Sequence, residues 1–143
     1  MSVTIAETTD IDACHALRRV VFIEEQGVSE AEEIDGRDGD AVHLLATVDG
    51  VPTGTARILF DDEKGKIGRV CVLQPFRGTG LGAALVEAAV EVIRARPGAR
   101  TAVLGAQLPA LAFYERLGFE AYGPVFDDAG IDHRMMKRDL TAE

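Results

Sequence analysis

Three apolar segments in the first half of the chain are joined only by short turns, and this arrangement most constrains the fold. Residues 41–48 and 51–60 flank Asp49-Gly50, a dipeptide typical of two-residue hairpin turns. A second short turn, residues 61–65, leads to a third segment at residues 66–72. Strands with such short connections must lie side by side and antiparallel. The sequence therefore predicts an antiparallel sheet at the centre of the chain.

The segments around this sheet alternate between strand and helix patterns. The predicted elements are a strand at residues 3–8, a helix capped by Asp10, a helix that begins near Leu81 and stops at Pro97-Gly98, a strand at 102–104, a helix at 108–117 ended by Gly118, and strands at 119–122 and 133–138. This order indicates an α+β or mixed α/β fold, with a mixed, largely antiparallel sheet of about six or seven strands and helices on both faces. The length of 143 residues fits one domain, so we expect a single domain over residues 1–143.

Composition narrows the class of partner. The formal net charge of −9 argues against nucleic acid, because phosphate contacts need a basic surface. It favours a cationic partner, because an acidic cleft raises the local concentration of amines. The chain has no run of roughly 18 apolar residues, so we expect no membrane partner. Cys14 and Cys71 lie in apolar runs without CxxC spacing, which predicts reduced core cysteines in a cytoplasmic protein.

Residues 27–40 form an acidic segment, whose carboxylates are Glu30, Glu32, Glu33, Asp35, Asp38 and Asp40. Two interpretations of this segment stay open. A run of charges is usually a solvated loop whose side chains face water. Alternatively, the segment forms the rim of a substrate site.

The most informative motif is the glycine loop, Arg77-Gly78-Thr79-Gly80-Leu81-Gly82, which follows a predicted strand and precedes a predicted helix. The first turn of a helix has backbone N–H groups without internal partners and the positive end of the helix dipole. Glycines at this point let the backbone approach phosphate oxygens, which a Cβ would obstruct. The loop therefore predicts a phosphate or pyrophosphate ligand.

Other phosphate-binding motifs fit this loop less well. A P-loop requires Lys-Ser or Lys-Thr after its last glycine, and Ala83-Ala84 stands there instead. Gly78, Gly80 and Ala83 satisfy a GxGxxA dinucleotide pattern, which would suggest a nucleotide-dependent oxidoreductase. That pattern belongs to the first βαβ unit of a chain, whereas this loop follows antiparallel strands. A glycine turn that only starts a helix is the remaining alternative.

The loop resembles the (Arg/Gln)-x-x-Gly-x-(Gly/Ala) loop of GNAT N-acetyltransferases. Residues 67–72 resemble the central strand of that family, and residues 108–119 are similar to its A–FYE–LGF signature. Further segments that resemble the ElaA/YjcF-like branch are residues 21–26, 35–36, 43–45 and 130–133. The matches cover nearly the whole chain in the right order.

The resemblance implies a GNAT-like fold and acetyl-CoA as co-substrate, without a metal. In the family, the glycine loop holds the pyrophosphate of CoA and the central strand pairs with the pantetheine arm. The cofactor-binding residues implied in this way are Val70, Cys71, Val72, Arg77, Gly78, Thr79, Gly80, Leu81, Gly82, Gln107 and Tyr114. Gln107 departs from the family pattern, because many relatives carry Asn there and the longer side chain has a different reach.

Tyr114 is the candidate general acid. A phenol with a pKa of about 10 stays protonated at neutral pH and can donate its proton to a leaving thiolate. The resemblance implies that Tyr114 lies beside the sulfur of CoA. Its alternative role is that of a half-buried aromatic residue that packs with Phe113 and Leu117.

The sequence does not single out one general base. Its candidates are Glu24, Glu25, Glu33, Asp35, His43 and His133. Histidine has the most suitable intrinsic pKa, although a single histidine on a strand is often structural. Glu25 could instead recognise a cation. Cys71 has no neighbouring histidine that would create a thiolate, so we expect direct attack by the amine rather than an acyl-cysteine.

The acceptor is expected to be the primary amine of a small molecule, which no motif identifies further. Because related folds often form dimers, a homodimer is one expected state. The principal alternative to an enzyme is a non-catalytic CoA-binding or sensing module. Such a module would bind CoA without turnover.

Overall fold

The computed structural model describes residues 2–141 and 143, and its centre is a seven-stranded mixed sheet. The strands are β1 (Val3–Thr8), β2 (Val42–Val48), β3 (Val51–Asp61), β4 (Lys64–Val72), β5 (Thr101–Gln107), β6 (Glu120–Asp128) and β7 (Ile131–Asp139). Their order in the sheet is β1-β2-β3-β4-β5-β7-β6. All neighbours are antiparallel except β4 and β5, which are parallel. The expected mixed, largely antiparallel sheet is confirmed.

The described residues form four α-helices. They are α1 (Ile11–Arg18), α2 (Glu30–Glu33), α3 (Leu81–Ala95) and α4 (Leu111–Arg116). Of these, α1 and α3 pack against the central strands of this sheet. Asp10 caps α1 as predicted, since its carboxylate accepts the N–H of Ala13 at 3.1 Å. Beyond α1 the chain continues as a π-helical segment, Arg19–Glu25, which the sequence pattern did not indicate. No helix in the described part of the chain is long and apolar enough to span a membrane.

The predicted hairpin between β2 and β3 is present. Asp49 and Gly50 have φ angles of 51° and 81°, the left-handed conformation that a tight hairpin turn needs. The later strands are longer than predicted, and β7 runs from Ile131 to Asp139. β5 extends to Gln107, and β6 extends to Asp128, so the turn that follows it is Ala129-Gly130.

α3 lies directly on β4, and Gly65 makes this close approach possible. A Cβ on Gly65 would overlap the side-chain carbons of Ile93, which is fully buried in α3. Glycine at this position therefore sets the distance between the helix and the strand that leads to the glycine loop.

β4 separates from β5 part of the way along its length. The two strands pair only over Lys64–Ile67 and Thr101–Leu104. On its other edge, β4 contains a β-bulge, because Thr55 pairs with Cys71 while Arg57 pairs with Gly68. The bulge includes Arg69, whose φ of 52° is left-handed. Beyond Ile67 and Leu104, β4 and β5 therefore leave a gap in the middle of the sheet.

Substituting Gly65 by alanine should destabilise the protein, because the added methyl group would overlap Ile93. Overpacking of a tight core costs about 1–3 kcal/mol in the free energy of unfolding. Gly39 is the matched control, because its backbone is not left-handed and a Cβ there would meet no atom within 4 Å. Urea denaturation measures both variants. A Gly65→Ala variant as stable as Gly39→Ala would contradict this packing.

Candidate active site

The gap between β4 and β5 opens a cleft with a cavity volume of about 240 Å³. Its walls come from separate elements, with Val70 on β4, Ala106 on β5, Tyr114 on α4 and Glu33 on α2. The cleft continues into a wider groove of about 530 Å³ beside the acidic segment. Residues that line both cavities are Glu32, Ile67, Gly68, Arg69, Gly105 and Asp128. The point where the strands separate can therefore be reached from two sides.

The glycine loop forms the N-terminal end of α3. Gly78 and Gly80 have φ angles of 78° and 88°, which favour glycine, and Gly80 is the N-cap of the helix. In the part of the chain that the structure describes, the N–H groups of Gly78, Thr79 and Gly80 donate to no protein acceptor. The first N–H groups of α3 add to this set of donors. These N–H groups are the donors that the predicted anion ligand would need.

Arg77 fixes one side of the loop. Its Nε donates to the carbonyl of Val72 at 2.8 Å, and its Nη2 donates to the Glu25 carboxylate at 2.9 Å. Glu25 lies at the end of the π-helical segment and lines neither cavity. The contact of Glu25 is therefore with the glycine loop rather than with the cleft.

Tyr114 lines the cleft and is half-buried. Its ring makes edge-on contacts with Phe113 and Phe119, at centroid distances of 5.0 and 6.0 Å. Burial raises the pKa of Tyr114 to about 12, so the phenol keeps its proton at neutral pH. Phe113 also lies 3.7 Å from the position of a Cβ on Gly82, which joins this aromatic group to the glycine loop.

The two candidate histidines lie in different places. His133 lines the cleft, and its Nδ1 lies 2.7 Å from the carbonyl oxygen of Ile131, where it donates a hydrogen bond. This contact leaves Nε2 as the nitrogen that can accept a proton. His43 is 3% exposed, lines neither cavity, and its Nε2 donates to the carbonyl of Asp38 at 2.9 Å. Only His133 shares the cleft with Tyr114.

The remaining predicted cofactor residues lie along the two separated strands. Val70 lines the cleft, and Val72 ends β4 next to the loop, 3.9 Å from a Cβ position on Gly82. Cys71 faces the other way and packs with Leu17 in the core under α1. Burial raises the pKa of Cys71 to about 12, which opposes formation of a nucleophilic thiolate. Gln107 lines the cleft and donates to the side chain of Gln26 at 3.0 Å.

The acidic segment is not simply a solvated loop. Glu33 is only 4% exposed, and its carboxylate accepts hydrogen bonds from Arg18 and Arg69, each at 2.7 Å. Both Glu33 and Arg69 line the cleft. The solvated interpretation is therefore wrong for Glu33, because two guanidinium groups hold it inside. Glu30 and Glu32 do remain exposed.

Two further carboxylates of this segment complete what we call the charge network, which consists of Glu33, Asp35 and Asp38 with Arg18, Arg57 and Arg69. Hydrogen bonds from Arg57 hold the pKa of Asp35 well below its usual range. Burial raises the pKa of Asp38, but hydrogen bonds from Arg18, His15 and Arg57 outweigh it and lower the pKa overall. All three carboxylates thus face guanidinium groups, and the lowered pKa values of Asp35 and Asp38 make these two poor proton acceptors.

The sequence held one signal of this network. Cys14 and Leu17 form the buried face of α1, which Val21 continues in the π-helical segment, and Arg18 occupies a position on the same face. A charged residue at an apolar position indicates a buried partner. Among residues 2–141 and 143, no three His, Cys, Asp or Glu side chains are grouped as they would be around a metal ion.

Comparison with known proteins identifies the family. Residues 14–140 match the model of the acetyltransferase (GNAT) domain. The chain is 36% identical over 124 residues to the uncharacterized N-acetyltransferase YjcF of Bacillus subtilis, with 86% of this chain and 88% of YjcF covered. The crystal structure of Escherichia coli ElaA superposes with a TM-score of 0.84 at 30% identity, covering 96% of this chain and 99% of ElaA. The chain therefore belongs to the GNAT family of acetyltransferases.

The expected ElaA/YjcF-like resemblance is confirmed by these two relatives, and so is the expected class of enzyme, an N-acetyltransferase. A GNAT-family acetyltransferase from Elizabethkingia anophelis with acetyl-CoA bound has the same fold, with a TM-score of 0.75 at 18% identity over 96% of this chain and 98% of the other. Solved members of this fold therefore include a complex with the expected co-substrate.

Replacing Glu33 by glutamine should destabilise the protein strongly, because Arg18 is 1% exposed and would lose a charged partner. Removing one member of a buried ion pair costs about 3 kcal/mol or more in the free energy of unfolding. Glu30→Gln is the matched control, because this carboxylate lies on the same short helix but is 61% exposed. Its ion pair with Arg19 should contribute less than about 1 kcal/mol. Chemical denaturation that finds similar costs for the two variants would contradict the structural role of Glu33.

Proposed function

We propose that this chain transfers an acetyl group from acetyl-CoA to the primary amine of a small molecule, by direct attack through a tetrahedral intermediate. One observation carries the proposal: the glycine loop at the start of α3 and the cleft that contains Tyr114 adjoin the same unpaired edge of β4. A pyrophosphate and a thioester at opposite ends of one cofactor need such a pair of sites.

The glycine loop would hold the pyrophosphate through the N–H groups of Gly78, Thr79 and Gly80 and of the first turn of α3. The edge of β4 from Val70 to Val72 is not paired with β5, so its backbone groups are available for the pantetheine arm. In this role the arm takes the place of a neighbouring strand. Arg77, fixed by Glu25, would stand beside the pyrophosphate.

In the reaction, the amine nitrogen attacks the thioester carbonyl, a C–N bond forms, and the carbonyl oxygen takes the negative charge. A backbone N–H near the bulge, at Val70, would donate to this oxyanion; such preorganised donors contribute about 3–4 kcal/mol. The intermediate then expels the thiolate of CoA as the C–S bond breaks. Tyr114 would give its proton to that thiolate, and its high pKa keeps the proton in place until then.

The attacking amine must be neutral, and an alkylamine with a pKa of about 10.4 is almost fully protonated at pH 7. We assign removal of its proton to Nε2 of His133, because this histidine lies in the cleft and its other nitrogen donates to a carbonyl. Glu32 and Asp128 line the groove on the side of the acidic segment. Together with the net charge of −9, their carboxylates would attract the protonated amine before it reacts.

Replacing Tyr114 by phenylalanine should lower kcat by about 10²–10⁴-fold, because the variant cannot protonate the leaving thiolate. Binding of acetyl-CoA should change little, since the ring and its packing are kept. The assay follows release of the CoA thiol from acetyl-CoA with a panel of small amines, and mass spectrometry identifies the acetylated product.

Tyr122→Phe is the matched control, because Tyr122 lies on the edge strand β6, is 36% exposed and lines neither cavity. Its activity should equal that of the wild type. Full activity of Tyr114→Phe would exclude Tyr114 as the acid. If the wild-type protein bound acetyl-CoA but released no thiol with any amine, the proposal of catalysis would be wrong and a CoA-sensing module would be favoured.

A further inference from the structure

Two glycines face each other where the central strands separate. Gly68 is the first residue of β4 beyond the last rung shared with β5, and Gly105 is the first such residue of β5. Both line the cleft and the wider groove. We call the gap between them the aperture.

The fold itself does not require glycine at either position. Neither residue has a left-handed backbone, in contrast to Gly78 and Gly80 of the loop. A Cβ on Gly68 would meet no atom within 4 Å, whereas one on Gly65 would overlap Ile93. A Cβ on Gly105 would lie 3.4 Å from the end of the Phe126 ring, a contact that a small shift of that side chain relieves. The missing side chains therefore leave space that the protein does not use.

That space lies on the side of the groove. The side chains of the preceding residues, Ile67 and Leu104, belong to the core under α3. Because successive residues of a strand face opposite ways, Cβ atoms on Gly68 and Gly105 would project toward the other face. The neighbours of Gly105 on that face, Phe126 and Met135, are residues of the groove.

The charge network keeps this space open. Arg69 follows Gly68 directly, and its long side chain could otherwise lie across the aperture. Its guanidinium donates instead to the Glu33 carboxylate at 2.7 Å and to the Glu33 carbonyl at 3.0 Å. The guanidinium also donates to the Asp35 carboxylate at 3.4 Å, which is a third contact. The arginine is thereby held against the acidic segment.

We propose that Gly68 and Gly105 determine acceptor specificity, by admitting amines whose nitrogen is attached to a branched carbon. This inference rests on the proposed function, in which the acceptor approaches the thioester from the groove. An unbranched –CH₂–NH₂ group would pass an aperture flanked by methyl groups. A nitrogen on a carbon with two substituents, as in an amino acid or an amino sugar, needs the room that the two missing side chains leave.

The test uses conjugates in which the CoA sulfur is joined through –CH₂–C(O)– to the nitrogen of n-propylamine or of isopropylamine. Calorimetry gives the affinity of the wild type and of Gly68→Ala and Gly105→Ala for each conjugate, without turnover. Gly39→Ala is the matched control, because a Cβ there is also free of contacts but lies outside both cavities. Thermal unfolding checks that all variants fold. If Gly68→Ala does not fold, the affinities of Gly105→Ala alone test the inference.

The wild type and Gly39→Ala should bind the isopropyl conjugate at least as tightly as the n-propyl conjugate. In Gly68→Ala and Gly105→Ala, the affinity for the isopropyl conjugate relative to the n-propyl conjugate should fall by about 10-fold or more. This is the usual effect of one misplaced methyl group. A wild-type preference for n-propyl, or unchanged ratios in both variants, would overturn the inference. The inference would also be overturned if the two variants lost affinity only for butyryl-CoA relative to acetyl-CoA in the same calorimetry. The space would then receive the acyl chain rather than the acceptor. If the wild type bound neither conjugate nor acetyl-CoA, the proposed function itself would be wrong.

Discussion

The burial of Arg18 is the constraint on which the arrangement of this protein depends. A guanidinium that is 1% exposed must have charged partners, because an uncompensated charge in the interior costs several kcal/mol. Glu33 and Asp38 supply them, and both come from the acidic segment. The requirement of one arginine in α1 therefore fixes a segment that contains little regular structure of its own. Once fixed, that segment forms a wall of the cleft.

The same carboxylates also reach β4. Glu33 binds Arg69, the left-handed residue of the β-bulge, so α1, the acidic segment and the bulged strand are held together by ion pairs. A bulge alone would let β4 bend in several ways. Here, its most strained residue is tied to a buried carboxylate, which favours one course for the strand. The separation of β4 from β5, and with it the cleft, follows from that course.

Much of the fold could be predicted from local signals. The strand at residues 3–8, the Asp10 cap and the Asp49-Gly50 hairpin depend on neighbouring residues, and all three are observed. The extent of β6 could not be predicted in this way. Its residues up to Asp128 are mostly exposed and include Gly123 and Pro124, which disfavour a strand, so only pairing with β7 makes this segment a strand.

The residues of the site likewise differ in how far local sequence signals predict them. The glycine loop is a continuous motif, so its position at the start of α3 could be read directly. The charge network joins Arg18, Arg57 and Arg69 to a distant segment. The apolar face around Arg18 indicates a buried partner, but no local pattern identifies which residues form these long-range pairs. For the same reason, the sequence could not distinguish His133, which shares the cleft with Tyr114, from His43, which is buried elsewhere.

The central claim is that the glycine loop and the edge of β4 bind acetyl-CoA. Thermal unfolding of the wild-type protein with acetyl-CoA, NAD or ATP, each added alone, tests it most directly. A ligand that binds only the folded state, at about 100 times its Kd, adds about 2.7 kcal/mol of stability. For a chain of this length that corresponds to a rise in Tm of several degrees. We predict such a rise with acetyl-CoA and none with NAD; a rise with NAD and none with acetyl-CoA would contradict binding of acetyl-CoA at this site.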